Sequence, residues 1–537
     1  MFRKLAHGIK RLLPSLLVSL VAAGPVLAQF GSLPPFTIEI EPVPTTVPGI
    51  HSFAFAQSGS YWLIIGGRTN GLHGFSSNDG FPTMYANNDV VVIDTASWQY
   101  WTSSLSALPY SIADPLRSTN MQAFQDGDHL YISGGFGFDS VLYDYVTFPT
   151  LTAVHVDDMI SAVQTGSSIS PHIRQVTNNA FRVCGGEMFR LGSECYLIFG
   201  HNFQGWYTNP PTPMFSQTYT NQVRRFSLSD DGVNLSATNF TSFTDTAQFH
   251  RRDLNVFPLV KPDESFALGC YGGVFRYNVN LPFLNPVYID TAGMQTDNSY
   301  DQVMSHYTCA GLPVFDSLTG AMHTTFFGGI SLNDYDPSSN TVIADTLVPF
   351  ISDITTLTKY ANGLTEECVL PVQLPGLLGS NAEFMLNRNL PHYSNEVLRF
   401  RSLPNQRVLA GYLYGGIRAN SPNLPLSSAN DTVYRVYFTP DLSVSGVRSG
   451  EIDIEQLSLY PNPAQEFFTL QFKLNKAIEA EAVIVDLSGR RIAGLAKRSY
   501  AAGAHSLPVD VSGLKEGMYF LRLVTRGDQR VIKFTKD

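Results

Sequence analysis

A short apolar run that ends in glycine recurs along this chain. It reads Tyr61-Trp-Leu-Ile-Ile-Gly-Gly67 and then Leu130-Tyr-Ile-Ser-Gly-Gly135. Looser copies are Tyr196-Leu-Ile-Phe-Gly200, Ala267-Leu-Gly-Cys-Tyr-Gly-Gly273, Thr325-Phe-Phe-Gly-Gly329 and Ala410-Gly-Tyr-Leu-Tyr-Gly-Gly416. Runs of this length, rich in aromatic and β-branched residues and bounded by turn residues, predict β-strands. Glycine at the end predicts a sharp turn and a close backbone approach.

A second signal follows most of these runs. Asn88-Asp-Val90, Asn221-Gln-Val223, Asn340-Thr-Val342 and Asp431-Thr-Val433 each open another β-rich stretch. One unit therefore reads as two strands, glycines, a loop, an Asn-x-Val strand and a less regular fourth strand. Four antiparallel strands cannot cover both of their own faces, but radially stacked sheets cover one another. The alternating stretch Phe36-Thr-Ile-Glu-Ile40 is expected to share a sheet with Val433-Tyr-Arg-Val-Tyr-Phe438 and so to close a ring.

The Ile-Ile-Gly-Gly67 run, the Asn88-x-Val90 strand and the Asp94…Trp98 pair resemble a kelch-type β-propeller blade. The tryptophan is absent from later units, and the intervals exceed the usual kelch repeat of about 50 residues. Longer loops account for the excess. The expectation is an all-β chain, with a six-bladed kelch-like β-propeller over residues 29–445 followed by a small Ig-like β-sandwich.

Residues 446–456 read as a linker, and the pattern changes after it. Six or seven short strands with Gly and Pro turns fill 457–537, which predicts the sandwich. Tyr460-Pro461-Asn462-Pro463, Asp486-x-x-Gly489-Arg490, Leu514-x-x-Gly517-x-Tyr519 and the terminal Lys533-Phe534 resemble the type A C-terminal sorting domain of the type IX secretion system. The resemblance implies passage through that machinery and across the outer membrane of a Bacteroidota-type bacterium. Release to the medium or attachment to the cell surface would follow.

The other end agrees. Arg3, Lys4, Lys10 and Arg11 precede the apolar run Leu12 to Ala23, and Val26-Leu-Ala28 offers small residues for cleavage. Residues 1–28 therefore read as a signal peptide cut between Ala28 and Gln29. No later stretch is apolar enough to cross a bilayer, so no transmembrane segment is expected in the mature chain.

Charge sharpens the picture. The net formal charge is −10, yet residues 1–28 and 457–537 each carry +4, so the body lies near −18. An acidic body repels phosphate backbones and argues against nucleic-acid binding. The five cysteines, 184, 195, 270, 309 and 368, form no CxxC pair. They read as buried thiols, with a Cys184–Cys195 disulfide across a hairpin turn as the alternative.

No nucleophile elbow, HExxH, P-loop or calcium loop is present, so no catalytic residue, metal or cofactor is expected. Candidate ligand contacts sit instead in the long loops after the glycines: Arg68, Asn70, His201, Trp206, Tyr207, Arg418 and Asn420. Paired Arg and Asn can grip hydroxyls or carboxylates, and Trp206 can stack on a sugar face. Otherwise these side chains tie down their own loops. His250-Arg251-Arg252-Asp253 is the densest charged cluster, either an anion grip or an internal ion pair. Asp followed by Ser or Thr recurs at 94, 139, 245, 290, 316 and 345, which reads as turn chemistry or as an O-glycan acceptor pattern. The resulting expectation is an exported protein that binds a glycan or a surface protein. The rivals are an extracellular enzyme acting on polysaccharide or glycoprotein, and a structural adhesin.

Overall fold

Each glycine-terminated run is the second strand of a set of four antiparallel strands, to which the fifth sheet adds the short parallel strand Leu398–Arg399 and the sixth the short strand Ser427–Ala429. The computed structural model describes residues 31–74, 80–207, 214–336, 341–423, 426–442, 454–485, 491–525 and 529–537. The signal peptide, Ala28, Gln29, Gly489 and residues 446–453 of the expected linker lie outside them. Among the described residues only two α-helices occur, Tyr110–Leu116 and Val156–Thr165. Neither is long and apolar enough to cross a membrane.

Six such sheets follow one another. The first four use Ala54–Ser58, Tyr61–Ile65, Asp89–Asp94 and Tyr100–Ser104; then Gln122–Asp126, His129–Ser133, Thr150–His155 and Ile173–Thr177; then Glu187–Leu191, Glu194–Ile198, Gln222–Asp230 and Leu235–Thr244; then Asn255–Val260, Phe266–Tyr271, Val287–Asp290 and Gly293–Thr296. The fifth uses Ala310–Asp316, Ala321–Ile330, Phe350–Lys359 and Thr365–Gln373. The sixth draws Leu377–Leu386, Val408–Ala419 and Tyr434–Pro440 from the end of the body and Phe36–Pro42 from its start. Phe36 pairs with Pro440 and Pro42 with Tyr434, as the alternation in Phe36–Ile40 leads one to expect.

Neighbouring sheets share cores. Leu63, Ile65, Val90 and Val92 of the first pack with Leu130, Ile132 and Val154 of the second. Leu312, Val314 and Phe327 of the fifth meet Leu378, Leu413 and Val436 of the sixth. Met385 and Tyr414 of the sixth then meet Trp62, Ile64 and Val91 of the first. The succession returns to its starting sheet, so every sheet is covered on both faces. Each fully buried aliphatic or aromatic side chain here contributes about 1.5–3 kcal/mol.

The glycine pair makes this possible. Gly134 and Gly135 have φ of 65° and 85°. That conformation is free of cost for glycine and strained for residues with a Cβ. Gly135 N–H donates to Val183 O at 2.9 Å, at the entrance to the next sheet. A Cβ on Gly134 would stand 1.9 Å from that same carbonyl. The equivalent bonds Gly67 to Ser118 O, Gly200 to Arg251 O and Gly416 to Ile50 O each link a sheet to its successor. The last of them joins the sixth to the first.

The Asn-x-Val signal needs two corrections. In the first unit the working asparagine is Asn87, which donates to Gly66 O at 3.0 Å. Asn430 does the same for Gly415 O at 3.1 Å. In the fifth unit Val342 belongs not to the third strand but to an inserted hairpin, Asn333–Asp336 with Thr341–Ala344. Its local alternation matches a sheet strand, but the core contacts are made by Phe350–Lys359. The loop after Gly200 is likewise a hairpin, His201–Trp206 with Met214–Tyr219.

All five cysteines are buried and free, so the Cys184–Cys195 disulfide does not form. The Asp-Ser/Thr signal is turn chemistry at all six places. Each aspartate accepts from the N–H two residues on, as Ala96 to Asp94 at 3.1 Å and Leu318 to Asp316 at 2.9 Å show.

The C-terminal segment forms two further sheets. One joins Ile454–Tyr460, Phe467–Leu474 and Gly503–Asp510; the other joins Ile478–Val485, Arg491–Tyr500, Gly517–Thr525 and Gln529–Lys536. Phe468, Leu470, Ile484, Leu521 and Phe534 share one core. Asn462 of the Tyr-Pro-Asn-Pro stretch accepts from Thr535 N–H at 2.9 Å and anchors the final strand. Tyr460 itself is exposed, and the Tyr519 hydroxyl donates to Lys515 O at 2.9 Å.

Candidate functional site

Six backbone hydrogen bonds run head to tail where the sheets converge. Ser52 N–H donates to Asn381 O, Asn381 to Thr308, Thr308 to Asp253, Asp253 to Gly185, Gly185 to Asn120, and Asn120 back to Ser52. The N···O distances run from 2.7 to 3.4 Å. Each of the first five sheets supplies one residue from the segment entering its first strand, and the sixth supplies Asn381 from within Leu377–Leu386. Five of the six have positive φ; Asn and Asp tolerate this better than other side chains. Asn120 Nδ2 also donates to Asp253 Oδ1 at 3.2 Å, and Asn381 Nδ2 to Ser52 Oγ at 2.8 Å. This ring divides the central channel into two sides.

One side carries the loops that follow the glycines. Here Arg252 pairs with Asp253, and its guanidinium also donates to Tyr219 Oη at 3.2 Å and Tyr307 Oη at 3.3 Å. Tyr307 Oη donates in turn to Asp253 at 2.9 Å. Burial pushes the Asp253 carboxyl up, but the charge of Arg252, with His201 and the hydrogen bonds from Tyr307 and Arg252, together outweigh it and hold the group below the usual carboxylate range. Burial, with Arg252 nearby, lowers His201 to about 3 and His73 to about 4. These histidines are neutral at pH 7.

The sequence-derived candidates are held in place by the protein itself. Arg68 is buried; it donates to Asn70 Oδ1 at 3.1 Å and Pro82 O at 3.0 Å and lies over Phe81. Arg418 is bound by Asn430 and Thr432. Arg251 is wholly buried, with its guanidinium on Gln248 O and Gly272 O and its plane over Phe283. It is a strut and not a ligand contact. Trp206 stands edge-on to Tyr145 at 5.0 Å, and Tyr207 stacks on Phe215 at 5.3 Å. His201 is bonded through Nδ1 to Gln217 at 2.6 Å. His250 is sandwiched between Tyr219 and Tyr277, each 3.8 Å from ring to ring. Asn420 is exposed on the sixth sheet's loop. The structure brings Arg68 and Tyr207 together around Phe81, and Asn70 bridges to Ser428, the residue paired with Arg418 on the sixth sheet.

The other side of the ring holds a cavity of about 750 Å³. It runs from Ser52, Asn120, Asp253 and Asn381 to the turns at Gly127 and Gly192, which join first and second strands. None of the ten candidates lines it. Its wall carries a layer of phenylalanines: Phe55, Phe124, Phe189, Phe257 and Phe384, from the first, second, third, fourth and sixth sheets. In the fifth sheet Gly311 leaves room for Phe257, whose ring a Cβ there would meet at 2.2 Å.

Five carboxyl residues line this cavity; Asp126, Asp253 and Glu396 pair with Arg190, Arg252 and Arg388, which leaves Glu187 on the third sheet and Glu383 on the sixth. Neither has a hydrogen-bond or ion-pair partner among the described residues. Burial pushes Glu383 up to about 8. Burial, then the charges of Glu383 and Asp253, push Glu187 well above the usual carboxylate range. An unpartnered carboxylate in a low-dielectric channel takes up a proton instead of staying charged. Beside the charged pairs Arg190–Asp126 and Arg388–Glu396, the wall therefore presents aromatic faces and two carboxyls whose burial favours the protonated form, which both donates and accepts. Sequence reasoning missed this layer because it attended to the loops and not to the first strands.

Comparison with known proteins bears on the two parts of the chain differently. Residues 458–537 match the secretion system C-terminal sorting domain. No curated protein gives a significant match to the chain. Among solved structures the chain is similar to that of YjhT, at 12% identity and a TM-score of 0.39, covering 73% of this chain and 99% of the other. It is also similar to a glycoside hydrolase family 43 arabinoxylan arabinofuranohydrolase from Bacillus subtilis, at 10% identity and a TM-score of 0.29, covering 91% and 96%. Likenesses at this level say nothing about activity. The sorting domain does carry a conclusion: this chain interacts with the type IX secretion machinery and is exported across the outer membrane, to the cell surface or the extracellular space.

Proposed function

We propose that this protein is an exported six-bladed, kelch-like β-propeller that binds the end of a neutral glycan in its central channel. The proposed organisation is a signal peptide over 1–28, the propeller over 29–445, a linker over 446–456 and an Ig-like sorting sandwich over 457–537. The observation that carries the binding reading is the cavity of about 750 Å³ lined by five phenylalanines and two unpartnered, protonated glutamates. Its size lies within the roughly 300–1,000 Å³ of small-ligand sites. Phenyl rings take the C–H faces of sugar rings, and neutral carboxyls take their hydroxyls. The charged groups on the wall are paired with each other, Arg190 with Asp126 and Arg388 with Glu396, which leaves the aromatic faces and the two glutamates to meet a sugar.

A glycan array followed by calorimetry on the mature protein tests this. Saturable binding that weakens at least tenfold in Phe189→Ala and persists in Glu187→Gln supports it. Absence of any bound glycan, or binding indifferent to Phe189→Ala, overturns it.

A second reading, glycoside hydrolysis, is favoured by the placement of Glu187 and Glu383 on the wall of one cavity, where the charge of Glu383 helps to raise Glu187. Such chemistry needs one carboxyl protonated and one ionised. Release of reducing sugar from a bound glycan, abolished by Glu383→Gln, would select this reading over simple binding.

A further inference from the structure

The second sheet carries a cluster that the channel does not use. His129 opens the second strand and His155 closes the third, and the two stand directly opposite each other in the antiparallel register. Their rings are 5.1 Å apart and perpendicular. Asp128, in the preceding turn, reaches both: Oδ1 lies 2.6 Å from His129 Nδ1 and Oδ2 lies 3.1 Å from His155 Nε2. All three ligand atoms lie within 4.8 Å of one another. From these positions we propose that Asp128, His129 and His155 form a binding site for a divalent transition-metal ion, with zinc the best fit.

Three observations support the assignment. First, the donor set is right: two imidazoles and a carboxylate with a fourth position open to water match zinc sites that keep an exchangeable ligand. Zinc bonds of about 2.0–2.2 Å in a tetrahedron place donor atoms about 3.3 Å apart, and the carboxylate–imidazole spacings of 2.6 and 3.1 Å lie near that.

Second, the outer partners are in place. Asp158 Oδ2 lies 3.2 Å from His155 Nδ1 and 3.8 Å from His172 Nδ1. Metal on His155 Nε2 selects the tautomer in which Nδ1–H donates to Asp158. This carboxylate–histidine–metal relay orients the ring and raises its basicity. Without metal, His155 Nδ1 instead accepts weakly from Asp158 N–H at 3.4 Å, as the cap of the helix Val156–Thr165. One ring thus has two roles, chosen by the metal.

Third, the frame is rigid. Val156 N–H donates to Asp128 O at 2.8 Å and fixes the turn to the start of the helix. Met159, Ile160 and Val163 of that helix pack into the core between the first and second sheets. His129 and His155 are only 18% and 28% exposed while Asp128 is 57% exposed, so an ion enters past the carboxylate.

The test uses the mature chain without an affinity tag, stripped with a chelator and titrated with Zn²⁺ by calorimetry and with Co²⁺ by visible absorption. The expected result is one saturable site with a low-symmetry Co²⁺ spectrum. His129→Ala and His155→Ala should abolish both signals, and Asp158→Asn should weaken affinity about 10–100-fold without changing stoichiometry. Near-UV circular dichroism checks that each variant is folded. If the parent shows no saturable binding, or if folded His155→Ala binds the same ion equally well, the proposal fails.

Discussion

The side-chain amide of Asn381 donates to the hydroxyl of Ser52 at 2.8 Å, across 329 positions of sequence. Two ends of the body are thereby fastened at the axis, while Phe36 fastens them at the rim. Phe36 packs on Phe438 with centroids 4.5 Å apart and is 4% exposed. Phe36→Ala should cost about 3–5 kcal/mol, read as a lower urea midpoint. Deletion of residues up to 42 should cost more, because it strips the outer strand from the sixth sheet.

Two glycines separate close approach from mere turn geometry. Gly134→Ala places a methyl 1.9 Å from Val183 O and should abolish soluble folded protein. Gly127 has φ of 59° but nothing within 4 Å of a built Cβ. Gly127→Ala should therefore cost only about 1–2 kcal/mol, measurable by thermal unfolding.

Channel and rim predict different losses. Trp206 is spent on Tyr145 and Phe138, so Trp206→Ala should lower thermal stability and leave glycan affinity within about twofold. Phe257→Ala, in the channel wall, should reduce affinity at least tenfold. Calorimetry on both variants checks the contrast.

Glu383 makes stability depend on pH in a defined sense. Its folded pKa of about 8 lies above the ordinary 4.5, so the folded chain holds a proton that the unfolded chain releases. The contribution is fully present below about pH 4.5 and is lost as pH rises towards 8. Urea midpoints of Glu383→Gln should fall less between pH 5 and 8 than those of the parent.

Removing residues 458–537 deletes the matched sorting domain. The shortened chain should accumulate in the periplasm, as fractionation and immunoblotting would reveal, while its channel still binds glycan.

Much of this architecture was legible because glycine is irreplaceable where Gly134 meets Val183 O, and because such places recur once per sheet. The closing strand was legible for a similar reason: Phe36 and Ile38 alternate with polar residues and need a half-covered sheet. The insertion at Thr341–Ala344 was misread because a hairpin strand and a sheet strand share one alternation; only contact with the core separates them. The central ring left only a faint trace, since its bonds are main-chain bonds and the Asn, Asp and Gly that suit positive φ at Asn120, Gly185, Asp253 and Asn381 also occur in ordinary turns. The phenylalanine layer left a plainer one: each of the five stands in the strand before its glycine run, and aligning the units on those runs would have exposed it. His129 and His155 lie in different strands 26 positions apart, so only the register brings them face to face.

The six-membered ring of main-chain hydrogen bonds has a consequence for traffic. Widening it would break several bonds at once, so the molecule is a cup and not a conduit. Whatever settles among the phenylalanines must back out through the mouth it came in by, and a long polymer could insert its tip but never thread through.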